Sequence, residues 1–224
     1  MKKVIVLLSG GLDSTTTLFL AKQKGFCVSC LIFNYGQRHR KEIEAAKRIA
    51  RYAKSPFTVV KIKLPWKGSA LLDKKISLPQ RRSLDRIGAS EIPVTYVPAR
   101  NIIFMSFAAS FAESVGAKKI FIGANSRDYS GYPDCRPEFF RAYAKVLTCA
   151  TKAGVEGRGV KIETPLIHKT KNQIIKLGLK LKVPYQLTWS CYRGGSLPCG
   201  ACDSCILRKK GFDELGLKDP LQYD

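Results

Sequence analysis

Short apolar runs separated by amphipathic stretches recur along the chain. Val4-Ile5-Val6, Cys27–Phe33 and Phe57–Ile62 read as strands, the first two apolar enough to be buried parallel strands. Lys119–Ala124 and Val160–Leu166 add a fourth and a fifth strand. Between them lie stretches of helical period. Leu18–Lys22 reads as a helix stopped by Gly25. Glu42–Ala53 places Ile43, Ala46, Ile49, Ala50 and Ala53 on one face. Ile102–Ser114 is strongly apolar, Arg136–Ala153 carries Phe139, Phe140, Tyr143 and Leu147, and Thr170 caps a helix containing Ile174, Ile175 and Leu177. Strand–helix–strand over the first 35 residues is the size of a βαβ unit, which is right-handed. Residues 65–93 break the rhythm with Gly68, Pro79, Gly88 and dense charge, and are expected to form an insertion or mobile flap.

The first strand runs into Leu8-Ser9-Gly10-Gly11-Leu12-Asp13-Ser14-Thr15-Thr16. Two adjacent glycines let the backbone approach a ligand. The hydroxyls of Ser9, Ser14 and Thr15, with the free N–H groups of the new helix, predict an anion pocket suited to phosphate. Asp13 repels bare phosphate but would tolerate it through a magnesium ion, whose hard oxygen ligands include carboxylates. A helix cap alone would need neither the second glycine nor Asp13. No Gly-Lys-Ser/Thr closes the loop, so it is not a Walker A motif.

Ligands of open α/β sheets bind beyond the carboxyl ends of strands. Three more stretches belong there: Asn34–Arg40 with Arg38, His39 and Arg40; Val97–Asn101 with Arg100 and Asn101; and the polar loop Asn125–Phe139 with Asp128, Tyr132, Asp134 and Arg136. Lys171 stands in the first turn of its helix, where a cation opposes the macrodipole, and is read as serving an anion nearby.

Composition narrows the class. The chain has 224 residues, enough for one sizeable α/β domain with a small appendage. Its apolar runs are too short to span a bilayer, and the start, Lys2-Lys3 followed by an apolar stretch ending at Leu8, is too brief for a secretory signal; a cytoplasmic protein is expected. The formal charge of +22 attracts polyanions, yet the basic residues are spread evenly without interleaved aromatics, so no stable nucleic-acid partner is expected. Of the eight cysteines, Cys27 and Cys30 are spaced CxxC inside a strand and are taken as core residues. Cys191, Cys199, Cys202 and Cys205 fall close together near the C-terminus, which in a cytoplasmic chain argues for a metal. Four thiolates suit a closed zinc site, and CxxCxxC leaves an iron–sulfur cluster open.

The string SGGLDS resembles the PP-loop of the ATP pyrophosphatase superfamily. With NYGQRHR (34–40), VPARN (97–101), DYSGYPDCRPEF (128–139), ETPL (163–166) and the cysteine cluster, nearly the whole chain resembles the 7-cyano-7-deazaguanine synthase family, the preQ0-forming enzymes of queuosine biosynthesis. The basic composition and the short loop from Cys191 to Cys199 are less typical. The resemblance implies a doubly wound parallel sheet of the adenine nucleotide α-hydrolase type, an ATP-binding domain over 1–186 and a zinc-binding segment over 187–224. It implies conversion of 7-carboxy-7-deazaguanine and ammonia to the nitrile, through an adenylated carboxylate, an amide and a second activation. ATP and magnesium would be held by residues 8–16, that is Leu8, Ser9, Gly10, Gly11, Leu12, Asp13, Ser14, Thr15 and Thr16. Asp13, Arg38 and Lys171 would be catalytic. The substrate would meet Arg100, Asn101, Asp128, Tyr132, Asp134 and Arg136, with Asp134 or Asp128 reading the ring edge. A homodimer follows by resemblance alone. Two rivals stand beside this reading: a PP-loop enzyme modifying tRNA directly, and a basic zinc-ribbon module that binds RNA.

Overall fold

A computed structural model describes residues 1–87, 91–125 and 131–224. Five parallel strands, β1 (Lys3–Leu7), β2 (Cys27–Asn34), β3 (Phe57–Lys61), β4 (Lys119–Phe121) and β5 (Lys161–Glu163), form one sheet in the order β3-β2-β1-β4-β5. The chain winds outward from β1 to β3, then returns to the other side of β1 for β4. That reversal makes the β1/β4 boundary the topological switch point.

The helices are α1 (Leu12–Gln23), α2 (Lys41–Tyr52), the short α3 (Leu84–Ile87), α4 (Arg100–Val115), α5 (Pro137–Ala150), α6 (Lys152–Val155), α7 (Lys171–Lys180) and α8 (Asp203–Asp213). The apolar runs of β1 and β2 are explained by burial on both faces. Ile5, Leu7, Leu31 and Phe33 face one core, with Met105, Ala108 and Ala112 of α4 and Phe140 and Leu147 of α5. Val4, Val6, Cys30 and Ile32 face the other, with Leu18 and Ala21 of α1 and Ile43, Ala46, Ile49 and Ala50 of α2. With helices on both faces, the sheet is doubly wound.

The structure departs from the sequence pattern in informative places. Cys27 is exposed at the start of β2 and is not a core residue, whereas Cys30 is buried and its thiol pushed up to about 12 by burial. The helix expected over 136–153 breaks at Thr151, whose hydroxyl donates to Leu147 O at 2.8 Å and accepts from Gly154 N at 3.0 Å, starting α6. The C-terminal segment contains α8, which periodicity did not reveal: its buried positions mix Asp203, Arg208 and Gly211 with Cys205, Leu207 and Phe212. A third apolar cluster, with Leu12, Ile174, Ile175, Tyr185 and Phe212, packs α7 and α8 against α1. The described residues of the 65–93 stretch run as a strap from the end of β3 to the cysteine segment. Arg81 N donates to Ala201 O at 2.8 Å, and Arg82 Nε donates to Asp203 Oδ1 at 3.0 Å. Among the described residues no helix is long and apolar enough to cross a membrane.

Candidate functional site

A cavity of about 290 Å³ opens at the carboxyl ends of β1, β2 and β4. Its floor is the glycine loop. Gly10 has φ +84°, and a Cβ there would lie 2.4 Å from Glu42 O, so only glycine lets this turn sit on α2. Gly123, just past β4, closes the other side: a Cβ would meet Ser14 N and Cα at 2.9 Å. No side chain caps α1, which leaves the N–H groups of Leu12, Asp13 and Ser14 without an intrahelical acceptor. Ser9 and Ser14 share a hydroxyl contact at 3.0 Å, and Gly11 N donates to Ser9 Oγ at 3.3 Å. Leu8, Ser9, Gly11, Leu12, Asp13 and Ser14 line the cavity.

Thr15 and Thr16 do not. Thr15 Oγ1 donates to Gly11 O at 2.7 Å and Thr16 Oγ1 to Leu12 O at 2.9 Å, so the Thr15 hydroxyl, expected among the anion donors, and that of Thr16, expected within the ATP-holding stretch, turn back onto their own helix. This i−4 bonding is open to threonine wherever its helix faces a dry core. Thr16 also meets Tyr185 OH at 2.9 Å, and Gly178 is a glycine because a Cβ would fall 1.7 Å from that hydroxyl.

Lys171 reaches across from α7 and binds Asp13 through both carboxylate oxygens at 2.8 Å. Gly211 of α8 makes room for it: a Cβ would lie 2.6 Å from Lys171 Cγ and 2.8 Å from Ile175 Cδ1. A mid-helix glycine costs roughly 1 kcal/mol against alanine, so its position here is explained by clearance.

Arg38 lines the cavity, but its Nη1 donates to Ala70 O and Ile76 O, each at 3.0 Å. The guanidinium expected at a phosphate therefore holds the strap, which brings Leu71 into the cavity wall. Arg100 Nη1 donates to Tyr35 OH at 3.2 Å and stands 5.7 Å from the Tyr35 ring centre; burial pushes the Tyr35 phenol up to about 12. Ala99 precedes it at φ +53°, a strained conformation for a residue with a Cβ, pinned by Tyr96 OH on Ala99 N at 3.0 Å.

The substrate residues expected from sequence divide. Arg100, Asn101 and Tyr132 line the cavity. Asp134 is buried outside it, accepting from Asn101 N at 2.9 Å at the start of α4, while Asn101 Nδ2 donates to Asp134 O at 3.0 Å. A carboxylate near a helix N-terminus is favoured by unpaired N–H groups, and this one is spent there. Arg136 is exposed, precedes α5 and does not line the cavity. Asp128 lies outside the described residues. The cavity also takes His39, which the sequence had placed at this edge of the sheet, and Tyr35, Gln37, Glu42, Phe104, Cys135, Trp189, Tyr192 and Arg208, to which sequence reasoning gave no role at the site. Glu42 was legible only as a helical acid, although acids are scarce at 17 in the chain. Burial pushes Glu42 up, against the pull of His39 and Arg100. Burial also pushes the Cys135 thiol up to about 12, so it is protonated and not a thiolate nucleophile at neutral pH. His39 Nδ1 is the buried side-chain nitrogen left without a partner among the described residues.

The fourth wall comes from the cysteine segment. The sulfurs of Cys191, Cys199, Cys202 and Cys205 lie within 4.8 Å of one another. Arg193 N and Cys199 N point at Cys191 Sγ and Cys202 N at Cys199 Sγ, each at 3.4 Å, the N–H···S pattern that favours thiolates. Four convergent sulfurs with no other ligand type fit a tetrahedral metal ion. Trp189, Ser190, Tyr192, Ser204, Leu207 and Arg208 of this segment face the cavity.

A family model described as Queuosine biosynthesis protein QueC matches residues 3–216. The chain belongs to the QueC family. Its members named 7-cyano-7-deazaguanine synthase include a protein from Acetivibrio thermocellus, 54% identical over 224 residues (100% of this chain, 98% of that one). Another, from Thermoplasma acidophilum, is 52% identical over 223 residues (100% of this chain, 92% of that one). Among solved structures, NMN synthetase from Francisella tularensis matches with a TM-score of 0.50 at 15% identity, covering 97% of this chain and 73% of that one, which shows a shared fold.

Proposed function

We propose that this QueC-family chain is an ATP-dependent 7-cyano-7-deazaguanine synthase, converting 7-carboxy-7-deazaguanine and ammonia to the nitrile. The observation that carries the reading is the chain-long identity of 52–54% to proteins of that name. The cavity adds the chemistry. A carboxylate is a poor electrophile and needs a leaving group, which ATP supplies as AMP. The open N–H groups of Leu12, Asp13 and Ser14 and the hydroxyls of Ser9 and Ser14 would receive the phosphates. Asp13 would hold magnesium, which screens the phosphate charge. Lys171, already at the carboxylate, would neutralise charge as pyrophosphate leaves. Ammonia then displaces AMP to give an amide, and a second activation of the amide oxygen followed by its loss leaves the nitrile. Zinc on the four thiolates would pin the wall that carries Trp189 and Tyr192. We infer a cytoplasmic homodimer, in which a second copy covers exposed Ile102 and Phe107 on α4 and Val146 on α5.

The test is mass spectrometry of the zinc-loaded protein with 7-carboxy-7-deazaguanine, ammonium and magnesium-ATP. Nitrile with AMP is the expected result. ADP in its place would sink the adenylate route, and no product from an ATP-binding protein would overturn the activity.

A further inference from the structure

The proposed reaction leaves one task without a residue. A 7-deazaguanine presents a ring N–H beside an exocyclic amine, and a site that binds it must accept from both. Asp134 is committed to α4, and Asp13 is paired with Lys171. Among the described residues lining the cavity, Glu42 is the remaining carboxylate.

Its placement is fixed from below and from the side. The Glu42 main chain packs on Gly10, and its Oε1 accepts from Gln37 Nε2 at 3.0 Å. Gln37 is itself held: its Oε1 accepts from Tyr35 N at 2.9 Å and its Nε2 donates to Phe33 O at 3.2 Å. Glu42 Oε2 has no such partner among the described residues. The other charged groups lining the cavity are the cations Arg38, Arg100 and Arg208 and the Asp13–Lys171 pair, and its walls include the rings of Tyr35, Phe104, Tyr132 and Tyr192. Two adjacent N–H donors are bound most strongly by a carboxylate, and aromatic walls suit a planar heterocycle.

We propose that Glu42, oriented by Gln37, reads the N–H edge of the 7-deazaguanine ring. This rests on the activity proposed above. A carboxylate is acceptor-only with lone pairs to spare, so Oε1 can keep Gln37 while both oxygens face the ring donors. Gln37 is then a positioning residue, which gives the Asn34–Arg40 loop a purpose beyond its basic charge.

The experiment compares 7-carboxy-7-deazaguanine with an analogue lacking the exocyclic amine. Losing one donor to a buried charged acceptor should weaken binding to the wild-type protein on the order of 10–10²-fold. Equal affinity for the two would overturn the assignment without any variant. Glu42→Gln should weaken the natural substrate on the same order and bring the two ligands within about twofold, with ATP affinity, zinc content and thermal midpoint unchanged. Glu42→Asp, which keeps the charge and shortens the reach, should fall between. Discrimination that persists in Glu42→Gln, or a loss confined to ATP or to ammonium, overturns the proposal. Failure of the wild-type protein to bind 7-carboxy-7-deazaguanine at all would instead overturn the activity.

Discussion

The two ends of the cavity are built in opposite ways. At the glycine loop the geometry is local: Ser9, Gly11, Ser14 and Thr15 bond to one another within five residues, seated on Gly10 and Gly123. At the cysteine segment the geometry is assembled from afar. Arg208 of α8 donates to Asp219 through Nε at 2.6 Å and Nη2 at 2.9 Å, reaches Thr188 Oγ1 at 2.6 Å, and Tyr223 OH closes on Asp219 at 2.5 Å. The strap arrives from 121 residues upstream to pair Arg82 with fully buried Asp203. A local loop inherits its shape from the strand and helix beside it, so changes there should cost function before fold. A cross-linked segment has little apolar core of its own, so changes there should cost fold first.

Removing the metal gives the largest test. Cys199→Ser or chelation should lower the thermal midpoint by about 10 °C or more and abolish nitrile formation, because metal binding to such a site supplies folding free energy. An unchanged midpoint, followed by calorimetry, would make the segment self-sufficient.

Next comes the buried pair. Asp219→Asn leaves Arg208 buried and uncompensated, a cost of about 3–5 kcal/mol at neutral pH. Burial alone would raise the Asp219 pKa, but Arg208 more than offsets it, so the folded value lies below the usual 3.8. The contribution is therefore fully present above 3.8 and disappears as pH falls through the lower folded value. Urea midpoints of the two metal-free proteins should differ widely at pH 7 and converge in acid.

At the glycine loop the expectation inverts. Lys171→Met should reduce turnover about 10²–10³-fold with the midpoint shifted by only a few degrees, since Asp13 keeps 27% side-chain exposure and borders the open cavity, where water can take the place of the ammonium. A midpoint collapse comparable with that of Cys199→Ser would erase the contrast between the two regions.

The smallest effect joins them. Gly211→Ala thrusts a Cβ toward Lys171 Cγ and should cost about 1–3 kcal/mol by overpacking. Zinc content should be retained, and the fall should appear in kcat more than in KM for ATP. Loss of stability without that kcat bias would make Gly211 a packing residue only.

This contrast also sets what the sequence could disclose. The strands, the glycine loop and the four cysteines were legible because each is a short pattern with one physical meaning. The part Arg38 plays in the strap was not legible, because a guanidinium beside a site can also bind carbonyls, and only the fold brings Ala70 and Ile76 to its Nη1. Asp134 was placed at the substrate when its carboxylate serves Asn101 N, a contact 33 residues away in sequence. Glu42 was hidden by its own helix, whose period explains an acid on the first turn without a cavity. α8 was hidden because its buried side includes a paired Asp203 and Arg208, which no hydrophobic period records.

The strap has a bearing on metal exchange. Gln80 bridges to Cys202, Arg81 to Ala201 and Arg82 to Asp203, laying main chain beside a cluster in which Cys191, Cys202 and Cys205 are each 1% exposed while Cys199 is only partly covered. An ion held by the four sulfurs would therefore meet a competing chelator on the Cys199 side, and a chelator too bulky to fit there would have to wait for residues 80–82 to lift.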